Sequence, residues 1–138
     1  MKGIIVTGHG NFASGIESTM KLIMGEQEKI AFIDFKEGMT NIELSENIEK
    51  IVKEIGEKGV LIFTDILGGT PFNEAAMIST KYNNIHVFAG LNMAMLFEAI
   101  DCREEEINTD RILEESKNGM GIFKIAEELS EESDSDGI

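Results

Sequence analysis

The sequence has one cysteine, one proline and few basic residues, and each scarcity excludes a class of protein or a kind of structure. Cys102 has no second thiol with which to form an internal disulfide, and no group of cysteine and histidine has the spacing of zinc ligands. No apolar run approaches the length that spans a membrane, and no signal-peptide pattern follows Lys2. We therefore expect a cytoplasmic protein without a metal or other cofactor.

Basic residues are scarce relative to acidic ones. Lysine and arginine number 12 against 26 aspartates and glutamates, so the formal net charge is −14. Nucleic-acid binding requires a basic surface, and this composition excludes it. An acidic protein is instead steered by long-range electrostatics toward basic protein surfaces. The charge therefore favours protein partners.

The length of 138 residues, 42% of them hydrophobic, suits one compact domain. A domain of this size buries about two thirds of its unfolded surface, which is enough for a core without disulfides. We place this domain at residues 1–126. The remaining residues, 127–138, are acidic and rich in serine, and they are predicted to form a disordered tail.

Four short apolar runs alternate with segments in which apolar residues recur at helical spacing. The runs are predicted strands and comprise residues 3–7, 30–35, 60–63 and 85–89. Strands that alternate with helices indicate a parallel sheet with right-handed crossovers and helices on both faces. We predict an α/β, doubly wound, mainly parallel sheet with strand order 2-1-3-4, followed by a fifth strand at residues 121–125.

The third predicted strand runs into a glycine-rich turn. Gly68 and Gly69 permit backbone geometries that other residues avoid. Thr70 precedes the single proline, Pro71, and is the predicted N-cap of a helix that extends to about Tyr82. Such a junction points free N–H groups and the positive end of a helix dipole at one place. The sequence therefore predicts an anion-binding turn at Gly68, Gly69 and Thr70.

Two strands end in side chains suited to phosphoryl transfer. His9 follows the first strand and Asp65 follows the third, and in the order 2-1-3-4 these strands are neighbours at the point where doubly wound sheets bind ligands. A carboxylate bonded to one ring nitrogen fixes the histidine tautomer and leaves the other nitrogen free to attack. We predict that Asp65 orients His9, which is transiently phosphorylated. His86 lies within a strand without a motif and is assigned a structural or exposed role rather than a catalytic one.

Two functions from other classes are rivals of this prediction. A receiver-like domain phosphorylated on Asp65 needs an acidic pair after the first strand to bind magnesium, whereas this chain has Gly8, His9 and Gly10 there. A non-catalytic acidic binding module requires only that His9 be structural. An acid-labile, base-stable phosphate would indicate histidine and a base-labile one Asp65, whereas the binding module would form no phosphoprotein.

Five segments in order resemble the IIA component of the mannose family of the bacterial sugar phosphotransferase system. They are IIVTGHGNFASG at residues 4–15, GEQE at 25–28, IDF at 33–35, FTDILGGTPFN at 63–73 and AGLNMAML at 89–96. The resemblance extends to about Ile125. It implies a phosphotransferase that accepts a phosphoryl group on His9 from the phosphohistidine of HPr. The group then passes to a IIB component, which phosphorylates sugar entering through the membrane components IIC and IID.

The same resemblance implies roles for other positions. Asp65 matches the aspartate that orients the histidine, and Thr70 matches a hydroxyl residue that contacts the phosphoryl group. The family forms homodimers in which a C-terminal strand, here residues 121–125, crosses between subunits. Apolar residues around the crevice are predicted to contact partner proteins, and these are Phe12, Leu67, Phe72 and Met93.

A second family is an alternative within the same fold. The phosphocarrier domain of the phosphoenolpyruvate-dependent dihydroxyacetone kinase system also uses a histidine after the first strand. The GGTPFN turn and the GHGNFASG context favour the sugar transporter. No IIB region follows the tail, so the resemblance predicts a stand-alone IIA polypeptide or a separately expressed piece of a longer one.

Overall fold

The computed structural model describes residues 1–125, in which strands and helices alternate up to the last two helices. The strands are β1 (Gly3–His9), β2 (Ile30–Phe35), β3 (Val60–Thr64) and β4 (Ile85–Phe88). The helices are α1 (Phe12–Met24), α2 (Asn41–Ile55), α3 (Thr70–Ser79), α4 (Met93–Cys102) and α5 (Thr109–Asn118). Within the described range, no helix is both long enough and apolar enough to cross a membrane.

The four strands form one parallel sheet in the order β2-β1-β3-β4, which confirms the predicted order. The apolar residues of the two central strands, β1 and β3, are buried because helices cover both faces of the sheet. In the register, Thr7 of β1 lies beside Thr64 of β3, and His9 lies beside Phe35 of β2. The carboxyl ends of β1 and β3 are therefore adjacent.

The two faces of the sheet bury separate groups of side chains, as a doubly wound fold requires. Alternate residues of the strands point to opposite faces, so Ile4 and Val6 pack with α1, α4 and α5, whereas Ile5 packs with α2 and α3. On the first face, the rings of Phe63 and Phe88 stack with their centroids 5.1 Å apart. This packing fixes both central strands and the loops that follow them.

Polar residues begin three of the helices. Thr40 accepts a hydrogen bond from the Glu43 N–H at 3.1 Å and starts α2. Asn108 accepts one from the Arg111 N–H at 3.1 Å and starts α5. Asn92 accepts one from the Met95 N–H at 2.9 Å and starts α4.

The start and end of α3 differ from the sequence prediction. Gly69, not Thr70, is the N-cap, because the Gly69 carbonyl already accepts the Asn73 N–H at 2.9 Å. Thr70 is therefore the first helical residue. The helix ends at Ser79 rather than near Tyr82, since the next N–H groups bond to carbonyls three residues back in a turn.

The predicted fifth strand is absent from the chain taken alone. Residues 121–125 are described, and they form neither a strand nor a helix. A strand requires a neighbour with which to exchange backbone hydrogen bonds, and in this chain residues 121–125 pair with neither edge strand of the sheet. The crossing of this segment between subunits stays a prediction. The tail predicted at 127–138 lies outside the described residues.

Candidate active site

His9 and Asp65 meet at the carboxyl edge of the sheet. His9 is the last residue of β1 rather than part of the turn after it, and Asp65 directly follows β3. The backbone around Asp65 is fixed from the β4 side, because its carbonyl accepts the Gly90 N–H at 2.8 Å and the Thr64 carbonyl accepts the Leu91 N–H at 3.1 Å. The strand order thus brings the two side chains together, as the sequence predicts.

One oxygen of Asp65 accepts two hydrogen bonds from His9. The His9 backbone N–H and the ring Nδ1 each lie 2.8 Å from Oδ2, while the other oxygen, Oδ1, accepts the Ile66 N–H at 2.8 Å. Partial burial of the carboxyl raises the pKa of Asp65, but these hydrogen bonds outweigh it and lower the pKa below the ordinary value of 3.8. Asp65 is therefore ionised at neutral pH, and its carboxylate accepts a hydrogen bond from the N–H at Nδ1 of His9.

The second ring nitrogen, Nε2, makes no hydrogen bond to any residue in the range 1–125. The His9 side chain is 43% exposed, whereas that of Asp65 is only 11% exposed. With Nδ1 donating to Asp65, Nε2 carries the lone pair, and the partial exposure of the side chain leaves the ring accessible. The arrangement leaves a nucleophilic nitrogen open to a reactant.

Gly69 lies against the imidazole ring. A Cβ at this position would be 3.0 Å from Cε1 of His9, which is tighter than ordinary contact, so a larger residue would displace the ring or the turn. Cε1 is bonded to both ring nitrogens, so Gly69 is also close to Nε2. The role of this glycine is steric, and Gly68 is the residue of the turn that has a positive φ, +80°.

The turn after Asp65 presents an unpaired backbone donor near the ring. Its own backbone is held by a bond from the Gly69 N–H to the Ile66 carbonyl at 3.0 Å and by one from the Asn73 side chain to the Gly68 carbonyl at 3.0 Å. Among the described residues, the N–H of Thr70 has no acceptor. This donor and the start of α3 provide positive potential for an anion on Nε2.

The four residues predicted to contact partner proteins fall into two pairs. Phe12 and Met93 are half-buried and pack against the core on the α1 and α4 face. Leu67 is 75% exposed, and it lines a groove together with Phe72. The second pair therefore presents apolar surface to a shared groove.

This groove has a volume of about 570 Å³ and runs along the open edge of β4. Leu113 of α5 forms its far wall, and His86 lines it within β4. His86 is separated from β1 by β3, so it does not contribute to the site of His9.

Sequence reasoning missed two residues that support the site. Phe35 contacts the His9 ring with centroids 5.8 Å apart, and the Asn73 side chain fixes the turn. Both belong to segments that carry the family resemblance, IDF and GGTPFN, and that membership is the signal by which they could have been found. In the part of the chain that is described, no three histidine, cysteine or acidic side chains are grouped to bind a metal.

A family model described as the PTS system fructose IIA component, EIIA-man, matches residues 3–117. The fructose-specific EIIA component of Bacillus subtilis is 32% identical over 105 residues, which are 75% of this chain and 72% of that protein. The mannose-specific EIIAB component of Escherichia coli is 33% identical over 126 residues. These residues are 88% of this chain but only 39% of the length of that relative.

Solved structures give the same result. The phosphotransferase system component EIIA from Streptococcus agalactiae superposes with a TM-score of 0.83 at 36% identity, over 89% of this chain and 98% of that one. A mannose/sorbose-specific IIA subunit from Enterococcus faecalis superposes with a TM-score of 0.76 at 27% identity, over 91% and 97% of the two chains. The fold of this chain is thus that of known phosphotransferase system IIA proteins.

Proposed function

Because the chain belongs to the EIIA-man family of sugar phosphotransferase system components, we propose that it carries a phosphoryl group on Nε2 of His9. The observation that supports this most directly is the 2.8 Å hydrogen bond between Nδ1 and Asp65, which leaves Nε2 as the available nucleophile. The protein accepts the group from one protein and gives it to another.

The transfer step requires little movement of protons in this chain. The Nε2 lone pair forms a bond to phosphorus as the bond from phosphorus to the donor histidine breaks, and the donor leaves with the electron pair. The ring of His9 then gains positive character while its Nδ1 proton stays directed at Asp65. The carboxylate stabilises that charge without itself becoming protonated.

The turn after Asp65 binds the transferred group. The Thr70 N–H has no acceptor among the described residues, and it lies next to Gly69, which contacts the ring. Gly68 gives the turn its shape, and the hydroxyl of Thr70 adds a further donor. Preorganised donors of this kind stabilise the charge that develops on the phosphoryl oxygens during transfer.

The partners follow from the family and from the surface. We assign HPr as phosphoryl donor and a IIB component as acceptor, with the membrane components IIC and IID reached only through IIB. Exposed Ile66 and Leu67, beside Asp65, provide an apolar contact next to the reacting nitrogen. The net charge of −14 steers the protein toward basic partner surfaces.

Mass spectrometry of the intact protein tests the function. The chain is incubated with phosphoenolpyruvate, enzyme I and HPr, and wild type is expected to gain one phosphoryl group that is labile to acid and stable to base. His9→Ala should gain none, and His86→Ala, the matched control at the other histidine, should behave as wild type.

Two results would contradict the proposal. The first is no gain of mass under conditions that phosphorylate a known EIIA protein, which favours a binding module. The second is a base-labile phosphate that persists in His9→Ala, which indicates an acyl phosphate on Asp65. Transfer to a dihydroxyacetone kinase subunit, but not to IIB, would assign the chain to that system.

We further propose that two copies associate through the groove beside β4. Apolar residues of the segment at 121–125 are exposed in the single chain, with Ile122 82% and Phe123 84% accessible. The same segment from a second copy can pair with the open edge of β4, which would bury these side chains in the groove.

Sedimentation tests the dimer. The wild-type protein should have the mass of two chains, and Leu113→Glu in the groove should reduce the mass to that of one chain. Leu22→Glu, on α1, is the control, and a wild-type mass of one chain would refute the dimer.

A further inference from the structure

The ring of Phe35 contacts the ring of His9 from the neighbouring strand. The two residues lie side by side in the register of β1 and β2. Their ring centroids are 5.8 Å apart and their planes are inclined by 67°, which is an edge-to-face arrangement. The Phe35 carbonyl also accepts the Gly10 N–H at 2.8 Å, so the backbone on both sides of the contact is fixed.

The hydrogen bond to Asp65 does not by itself fix the plane of the imidazole. It restrains Nδ1, but a ring held at one atom can still pivot about that atom, and the His9 side chain is 43% exposed. Gly69 lies near Cε1 but has no side chain with which to hold the ring. The edge-to-face contact with Phe35 provides a further restraint on the ring plane.

Phe35 is itself anchored. It packs against the core on the α2 and α3 face, so its ring is held by the interior of the domain rather than by solvent-exposed contacts. A ring fixed in this way can hold a more exposed neighbour in one orientation. The core therefore holds Phe35 in place, and Phe35 in turn restrains the imidazole of His9.

We propose that Phe35 is a positioning residue for phosphoryl transfer. It keeps the plane of the His9 ring in the orientation that directs Nε2 toward the turn containing Gly69 and Thr70. This inference rests on the proposed function of His9. It assigns to Phe35 no contact with the phosphoryl group.

Leucine at position 35 tests this role, because Phe35→Leu keeps an apolar side chain and removes the aromatic contact. We expect the maximal rate of phosphorylation by phospho-HPr to fall about threefold to tenfold, with little change in the HPr concentration at half-maximal rate. Phe35→Tyr, which retains the ring, should keep the wild-type rate. The matched control is Phe32→Leu, since Phe32 is also half-buried in β2 but packs on the opposite face.

Ring dynamics provide a readout that does not depend on phosphorylation. The chain has two histidines, so only two Cε1–H signals arise from imidazoles, and the order parameter of the His9 signal can be measured directly. It should fall in Phe35→Leu and stay at the wild-type value in Phe35→Tyr and in Phe32→Leu.

The two arms separate failure of this proposal from failure of the proposed function. Unchanged rate and unchanged ring order in Phe35→Leu overturn the positioning role, as does an equal loss of rate in Phe32→Leu or Phe35→Tyr. If wild type is never phosphorylated, the proposed function of His9 is wrong. The restraint of the His9 ring by Phe35 is tested separately, and an unchanged order parameter in Phe35→Leu would refute it.

Discussion

A single carboxylate oxygen of Asp65 binds both the backbone N–H and the ring Nδ1 of His9, each at 2.8 Å. The same atom therefore fixes the end of β1 and the tautomer of the imidazole. This double contact has consequences for the rate of transfer, for the ionisation of the carboxyl and for the nitrogen that is phosphorylated.

Replacement of Asp65 by asparagine should slow phosphorylation of His9 without preventing folding. The charge-assisted hydrogen bond to Nδ1 is lost, and bonds of this kind contribute about 1.5 to 3 kcal/mol. If that energy is expressed in the transition state, the rate falls about tenfold to a hundredfold. The matched control is Asp34→Asn, since Asp34 lies in the neighbouring strand and its carboxylate accepts the Ser14 N–H at 2.9 Å and no hydrogen bond from His9. Single-turnover phosphorylation by phospho-HPr measures both, and a wild-type rate in Asp65→Asn would exclude the role of the carboxylate.

The pKa of Asp65 should lie below 3.8 in the folded protein. Burial raises this pKa, but hydrogen bonds from the His9 backbone, the His9 ring and the Ile66 N–H together lower it by a larger amount. A depressed pKa stabilises the fold at pH values above 3.8, and that stabilisation is lost as the pH falls through the pKa of the folded state. Titration of the side-chain carboxyl carbon by NMR tests this, and His9→Ala should raise the midpoint. A wild-type midpoint at or above 3.8 would contradict the geometry.

Substitution of Gly69 by alanine should impair transfer through steric contact. The added Cβ would lie 3.0 Å from Cε1 of His9 and 3.3 Å from the Ile66 carbonyl, so either the ring or the turn must move. We expect slower phosphorylation at nearly unchanged thermal stability. Gly15→Ala is the control, because that position in α1 has open space, and removing a helical glycine there should stabilise the protein by about 0.5 to 1 kcal/mol. Equal rates in the two variants would show that Gly69 has no steric role.

The single tyrosine reports the packing of α2 against the end of α3. The Tyr82 hydroxyl donates a 2.6 Å hydrogen bond to Glu49, and this bond, followed by burial and the negative charge of Glu49, raises the pKa of Tyr82 above 10.0. The associated stabilisation is complete below pH 10.0 and is lost as the pH rises through the pKa of the folded state. Phenolate absorbance gives the midpoint without interference from tryptophan, which the chain lacks. Glu49→Gln should lower this midpoint, and an unchanged value would refute the contact.

The sequence predicted the features that depend on alternation along the chain. Strands alternating with helices gave the parallel sheet and its order, and the ends of β1 and β3 identified His9 and Asp65 as neighbours. These predictions succeed because burial of apolar runs and crossover handedness leave few arrangements of such a chain.

Other features depend on contacts that no local pattern encodes. The contact of Phe35 with His9 follows from the register of β2 on β1, which is set by packing across the sheet. The cap of α3 falls at Gly69 because of which carbonyl accepts the Asn73 N–H. The segment at 121–125 reads as a strand by composition, yet a strand also needs an edge with which to pair.

The most direct test of the account is the identity of the phosphorylated nitrogen. Protein labelled with ¹⁵N in histidine is phosphorylated by phosphoenolpyruvate, enzyme I and HPr, and the coupling of ³¹P to the ring nitrogens of His9 is measured by NMR. Since Asp65 binds Nδ1 at 2.8 Å, the account predicts phosphorus on Nε2 and a proton on Nδ1. Phosphorus on Nδ1 would require that this hydrogen bond break, and it would contradict the assignment of Asp65 as the residue that orients His9.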